Sequence, residues 1–273
     1  GVGRGALVRR LYGWLRALRN RTLNSAAINV VLGERMSEAL VGEGVPAARI
    51  RIIPNWADGD AIVAVPKATN PLRREWGLTD SFVVGYSGNL GRAHEFETLL
   101  AAISVVERSA SDPSRPPVRW LIVGGGALQA EFEAEIARRG LRSVILKPYQ
   151  PRERLGESLS AADVHLVSLR PSMEGLIVPS KIYGVLAAGR PAIFIGHHDG
   201  EVARLIARAG CGVTVAEGDG AALAAAVLAY ASDPDRLLRE GSAARQAFAG
   251  GYDRRIAADA WDRMLREILA RGP

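Results

Sequence analysis

A lysine in the first turn of a helix sits against the positive end of the aligned peptide dipoles, and Lys181 holds such a place. It follows Pro179 and Ser180 at the head of a segment that Gly189 and Pro191 bring to a stop, which predicts a helix over 180–188. A bound anion would offset both charges; a chance surface lysine is the plain alternative. Glu174 puts one carboxylate on the loop just before, in Ser172-Met173-Glu174-Gly175, where a lone acid is ordinarily just solvated. Two further loops carry glycine, Gly88 to Arg92 and Gly124 to Gly126. Glycines ahead of a helix let backbone N–H groups approach an anion, and Arg92 adds a forked donor suited to phosphate. Neither loop has the full spacing of a dinucleotide fingerprint or the Gly-Lys-Ser/Thr of a phosphate-binding loop, so a tight structural turn reads the same.

The elements that must carry these residues follow from periodicity. The stretch 162–196 reads as strand (164–169), loop, helix and strand (192–195), a parallel crossover that sets Glu174, Ser180 and Lys181 at the C-terminal edge of a sheet. Strands at 82–86, 118–123, 144–146 and 212–215 alternate with helices at 95–108, 128–139, 151–159 and 200–209. Helices at 221–231, 234–248 and 252–269 close the chain. About six strands with helical crossovers predict a doubly wound parallel sheet, with loops at 87–92 and 109–117. Before it, strands at 28–32 and 49–53 flank a helix through Met36 and Leu40, and 60–80 reads as a linker with one helical turn at 72–76. Two strands make no covered parallel sheet, and the chain begins at Gly1 without methionine. The expectation is a fragment or a processed protein whose missing strands precede Gly1.

Charge is unevenly placed. Six arginines and no acid precede Thr22, while the remainder is balanced, an arrangement unlike a nucleic-acid-binding surface. Within 6–19, Leu7, Leu11, Trp14, Leu15 and Leu18 form one helical stripe. Two readings stand side by side: a helix packed on its domain, or an interfacial helix at residues 4–21 with Trp and Leu in lipid and arginines on anionic headgroups. No run is long enough to span a membrane. The single cysteine, Cys211, forms no internal disulfide and reads as a small buried residue. His94, His165, His197 and His198 lack metal-ligand spacing, so no metal is expected.

The series YSGNLGRAHEFETLL, WLIVGGG, LSAADVHLVSLRPSMEGLIVPSKIYGVLAAGRPAIF and RIIPNWAD, in these relative positions, resembles the retaining glycosyltransferases of family 4. It is most similar to the bacterial branch acting on fucose-type or N-acetylfucosamine-type sugars in exopolysaccharide and O-antigen (lipopolysaccharide) assembly. The resemblance covers essentially the whole chain and implies a GT-B fold, two Rossmann-like domains with the active site between them. Residues 1–65 would be the remnant of the acceptor-side domain, 66–250 the complete nucleotide-sugar domain, and 251–273 a helix returning towards the first.

On the same resemblance, Gly88, Asn89, Gly91 and Arg92 face the donor diphosphate, with His94 near the second place of a basic pair. Gly125 joins the donor site, and Tyr149 flanks the base. Glu174 contacts the transferred sugar, and Gly175 and Leu176 offer backbone N–H groups to sugar and phosphate. The family's second acid, which holds ribose hydroxyls, falls at Gly184; Ser180 and Lys181 take over part of the nucleotide contact. The implied reaction moves a hexose from a nucleoside-diphosphate-sugar, a substrate and not a cofactor, to a lipid-linked acceptor with retention. It would run in the cytoplasm or on the inner face of the cell membrane. Glu174, Arg92 and Lys181 are the catalytic candidates, with cations in place of a metal ion. A nucleotide-sugar epimerase of the same fold, or a donor-binding fragment without turnover, are the rival readings.

Overall fold

The computed structural model describes residues 2–109 and 115–270, with side chains from residue 8 onward. Residues 110–114 of the expected loop at 109–117, and the side chains of Arg4 and Leu7, lie outside the described residues. The elements run α1 (Val2–Ser25), β1 (Asn29–Val31), α2 (Glu34–Gly42), β2 (Ile50–Ile52), α3 (Pro71–Glu75), β3 (Phe82–Asn89), α4 (Glu97–Arg108), β4 (Val118–Gly125), α5 (Gln129–Arg139) and β5 (Val144–Lys147). They continue with α6 (Leu155–Ser160), β6 (Val164–Ser168), α7 (Lys181–Ala187), β7 (Ala192–Ile195), α8 (Glu201–Ala209), β8 (Gly212–Val215), α9 (Gly220–Ala231), α10 (Pro234–Gly251) and α11 (Arg254–Ala270).

Six strands form one parallel sheet in the order β5-β4-β3-β6-β7-β8. Its strands are apolar on both faces because helices cover both. One face packs Tyr86, Trp120 and Leu166 under α4 and α9; the other packs Val167 and Phe194 against Ile182, Val202 and Phe248. The chain steps outward from β3 to β4 and β5, then returns to place β6 on the other side of β3. That reversal is where an open α/β sheet parts to admit a ligand.

Two elements differ from their sequence patterns. The glycine segment expected as a loop at 87–92 is half strand: β3 continues through Ser87, Gly88 and Asn89, which pair with Val123, Gly124 and Gly125. Gly124 has φ +139°, and a Cβ there would overlap the Gly88 carbonyl oxygen, so these glycines let two strands close on each other. The expected linker at 60–80 is a packed strap. Asn70 caps α3 by accepting from Leu72 N and Arg73 N, Leu72 and Leu78 are buried, and the buried Arg73 guanidinium donates to Asp163 at 3.1 Å.

The first unit is the parallel pair β1–β2. Contrary to the expectation that two strands stay uncovered, helices cover both faces. Leu23, Met36 and Leu40 pack on Val31 and Ile50, while α11 returns to lay Ala257, Trp261 and Met264 on Ile53 and Val30. A backbone tie at the crossing joins the units, with Ala57 N donating to Tyr252 O and Arg254 N to Ala57 O, each at 3.0 Å. Along the seam Arg204 reaches Glu38 at 2.9 Å and Glu34 at 3.2 Å.

Candidate functional site

β3 and β6 pair only at Val84 and Gly85 and then diverge, opening a crevice beyond their C-terminal ends. A cleft of about 600 Å³ occupies it, walled by Ser87, Gly88 and Asn89 from β3, Ser180, Lys181 and Gly184 around α7, and Trp56, Asp58 and Ile62 from the crossing. His94 spans the crevice, its ring Nδ1 2.6 Å from Ser168 O at the end of β6. A carbonyl can only accept, so Nδ1 carries the hydrogen. Burial, and the nearby Lys181 charge, push the His94 imidazolium down to about 4, so the ring is neutral at pH 7.

Lys181 is the chemical centre of the cleft. Its stem crosses the bare face of Gly88, with Cε 3.6 Å from where a Cβ would stand, and its ammonium donates to the Tyr86 hydroxyl. Nζ also lies 3.7 Å from the centroid of the Tyr86 ring, a cation–π contact. Among the described residues it has no carboxylate partner, and loss of water pushes it down to about 7. Among the described residues the one acid on the cleft wall is Asp58, held by Arg152 and Arg254, each at 3.0 Å. Asp58 and Asp60 have the spacing of a metal-binding pair, yet Asp60 is taken by Arg255 at 3.4 Å. Among the described residues no three His, Cys, Asp or Glu side chains are placed to hold a metal ion. What the cleft offers is a half-buried cation, uncompensated among the described residues, beside glycine backbone, the electrostatics of an anion site.

Gly88, Asn89, His94, Tyr149, Ser180 and Lys181 therefore share one cleft. Ser180 precedes α7 without capping it, and its hydroxyl has no hydrogen-bond partner among the described residues. Tyr149 donates to Gly125 O at 3.2 Å and divides this cleft from a second cavity, of about 460 Å³, on whose wall Gly125 lies. Gly91 and Arg92 sit one turn outside; Arg92 is exposed and, among the described residues, unpaired.

Glu174, Gly175 and Leu176 do not line the cleft. The Glu174 carboxylate turns to the start of α8, where Oε2 accepts from Glu201 N at 3.3 Å and Oε1 is buried without a partner in space left by Gly200. Burial raises its pKa, with the Glu201 N–H acting the other way. Gly175, at φ +77°, packs on the backbone of Arg35, and Leu176 points to solvent. Gly184 faces Leu159 and Ile62, so an apolar wall stands where the family resemblance expects a ribose-binding acid.

Tyr86, Trp56 and Asp58 were not legible as site residues. A tyrosine inside an apolar strand reads as core, and Trp56 and Asp58 reach the cleft only because the crossing folds back over the sheet edge. The buried Cys211, by contrast, is the small core residue its neighbours imply, its thiol pushed up to about 11 by burial.

Residues 81–233 match the family model described as "Glycosyl transferases group 1". The "Probable glycosyltransferase WbjE" of Pseudomonas aeruginosa is 31% identical over 216 residues, 78% of this chain and 52% of that protein. The chain spans about half the length of the curated relatives it matches. Sucrose-phosphate synthase from Thermosynechococcus elongatus superposes with a TM-score of 0.77 at 24% identity, over 94% of this chain and 62% of the other. Anabaena Alr3699/HepE, solved with UDP and glucose, gives 0.77 at 18% identity, over 92% and 66%. These structural neighbours are GT-B glycosyltransferases, and their likeness concerns the fold. The matched residues hold the β3, β6 and α7 walls of the crevice, and on that match the chain belongs to the glycosyl transferases of group 1.

Proposed function

We propose that this chain is the donor side of a retaining, family 4 glycosyltransferase of glycan assembly, in which Lys181 and the backbone at Gly88 and Asn89 grip the diphosphate of a nucleotide-sugar. The observation that carries the reading is the Lys181 ammonium, half-buried and, among the described residues, without a carboxylate, against a glycine at the sheet's switch point. The UDP and glucose bound by HepE support a uridine nucleotide as the first donor to try. Ser180 and Arg92 add donors at the rim. Residues 1–65 would supply the acceptor side, 66–250 the donor side, and 251–273 the strap between them.

In the transfer, the bond from the anomeric carbon to the diphosphate breaks and the acceptor hydroxyl bonds to the same face. The hydroxyl proton passes to the departing phosphate oxygen. Charge grows on the diphosphate as it leaves, and an ammonium held in place by the fold stabilises it with little reorganisation. The sugar, of fucose or N-acetylfucosamine type, and a lipid-linked acceptor complete the reading. So does an anionic membrane surface under α1, whose Leu11, Trp14, Leu15 and Leu18 are exposed and whose Arg9, Arg10 and Arg21 are unpaired among the described residues.

Calorimetric titration with UDP and GDP tests the donor reading. Lys181→Met should weaken the preferred nucleotide by roughly 10- to 100-fold, the worth of a charge-assisted bond to phosphate. Equal affinity in wild type and variant would remove Lys181 from the site.

A further inference from the structure

We infer that Tyr86 is a positioning residue for the Lys181 ammonium, a buried hydroxyl that holds the cation over Gly88 with two of its three hydrogens turned to the diphosphate. This rests on the donor reading above and deepens it. Tyr86 and Gly88 lie two apart on β3, so they share one face of the sheet. The Lys181 stem passes the bare face of Gly88, at contact distance from where a Cβ would stand, and the ammonium arrives at the Tyr86 hydroxyl.

The direction of that bond is fixed by the hydroxyl's other partner. Tyr86 donates its one hydrogen to Asn89 O at 2.9 Å, so only a lone pair remains for Lys181, and an ammonium is the donor that fits. The ring cannot swing away. His94 and Phe96 meet it edge-on with centroids at 6.1 and 5.6 Å, and it is fully buried. Burial raises the phenol above its ordinary range, so it stays a neutral dipole throughout. Asn89 O already satisfies the hydroxyl. The bond from Lys181 is therefore surplus to the burial of Tyr86, and its effect falls on the lysine. Among the described residues this ammonium has no carboxylate nearby and one fixed polar contact, which leaves two N–H groups over.

The test is a double-mutant cycle on UDP affinity (GDP if that is the nucleotide bound), with melting temperature and the Lys181 13Cε resonance read alongside. Tyr86→Phe should weaken nucleotide binding by about 3- to 10-fold, the worth of one hydrogen bond, and shift the Lys181 resonance. In the Lys181→Met background the same change should do nothing further to affinity. If the two losses simply add, or Tyr86→Phe leaves affinity and the resonance alone while Lys181→Met weakens binding, Tyr86 is only core and the donor reading survives. If Lys181→Met leaves affinity unchanged, or neither nucleotide binds, both readings fall. Should Tyr86→Phe melt early, Asn89→Ala, which keeps the backbone acceptor, serves as a control that must leave the lysine resonance in place.

Discussion

At the scale of single residues, the charge on Lys181 is what the site has to spend, and pH controls it. Burial takes this ammonium from the ordinary lysine range down to about 7. The titratable groups facing it are Tyr86 and His94, both neutral near pH 7, and among the described residues no acid faces it. A diphosphate binds the protonated form, so the free protein must take up a proton whenever pH exceeds about 7. Nucleotide affinity should therefore be flat just below neutrality and fall by up to about tenfold per unit between about pH 7 and 9. Calorimetry in buffers of different ionisation enthalpy would show the proton uptake directly, and a flat profile across this range would contradict the burial of the charge. Lys181 was legible because a cation at a helix start is a local oddity. The direction of the Glu174 carboxylate was not legible, because what captures it, the Glu201 amide, lies 27 residues further on.

At the scale of elements, the glycines at the ends of β3 and β4 set how near two strands can come. Gly124 fits only without a side chain, since a Cβ would overlap the Gly88 carbonyl oxygen and φ is +139°. Gly124→Ala should cost about 2 kcal/mol or more, with the melting temperature lowered by about 5 °C or more, and should weaken nucleotide binding by displacing Gly88. Differential scanning calorimetry and a UDP titration of the variant measure both. A melting temperature at the wild-type value would mean the strands can separate freely. The alternation of apolar runs made the sheet and its crossovers plain, because each signal lies within one element. The pairing of Ser87 to Asn89 with Val123 to Gly125 did not show, because glycine reads as a loop unless the partner strand is known. The strap at 60–80 was hidden likewise. Arg73 looks solvated in sequence and is buried because Asp163, far along the chain, is there to receive it.

At the scale of the whole molecule, the two units meet along α2, α8 and the crossing at Ala57, and α1 is left with a broad exposed apolar face. Arg16 and Arg19 are committed to Glu43, while Arg9, Arg10 and Arg21 flank that face unpaired among the described residues. Among the described residues no helix is long and apolar enough to cross a membrane, so a lipid surface would be met sideways. Sedimentation with phosphatidylglycerol vesicles should carry the chain down and lose it as salt rises to about 0.5 M, while phosphatidylcholine vesicles should not. Substituting Trp14 and Leu18 with serine should abolish the binding. Indifference to lipid charge would make α1 an ordinary packing helix. The Glu174 carboxylate carries one more consequence. Its Oε2 is the acceptor for the first amide of α8, so a sugar hydroxyl that swung this carboxylate into the cleft would leave that amide bare. Sugar seating and the fraying of a helix end thus become one event, and the deuterium uptake of a single amide, Glu201, would report which sugars are held.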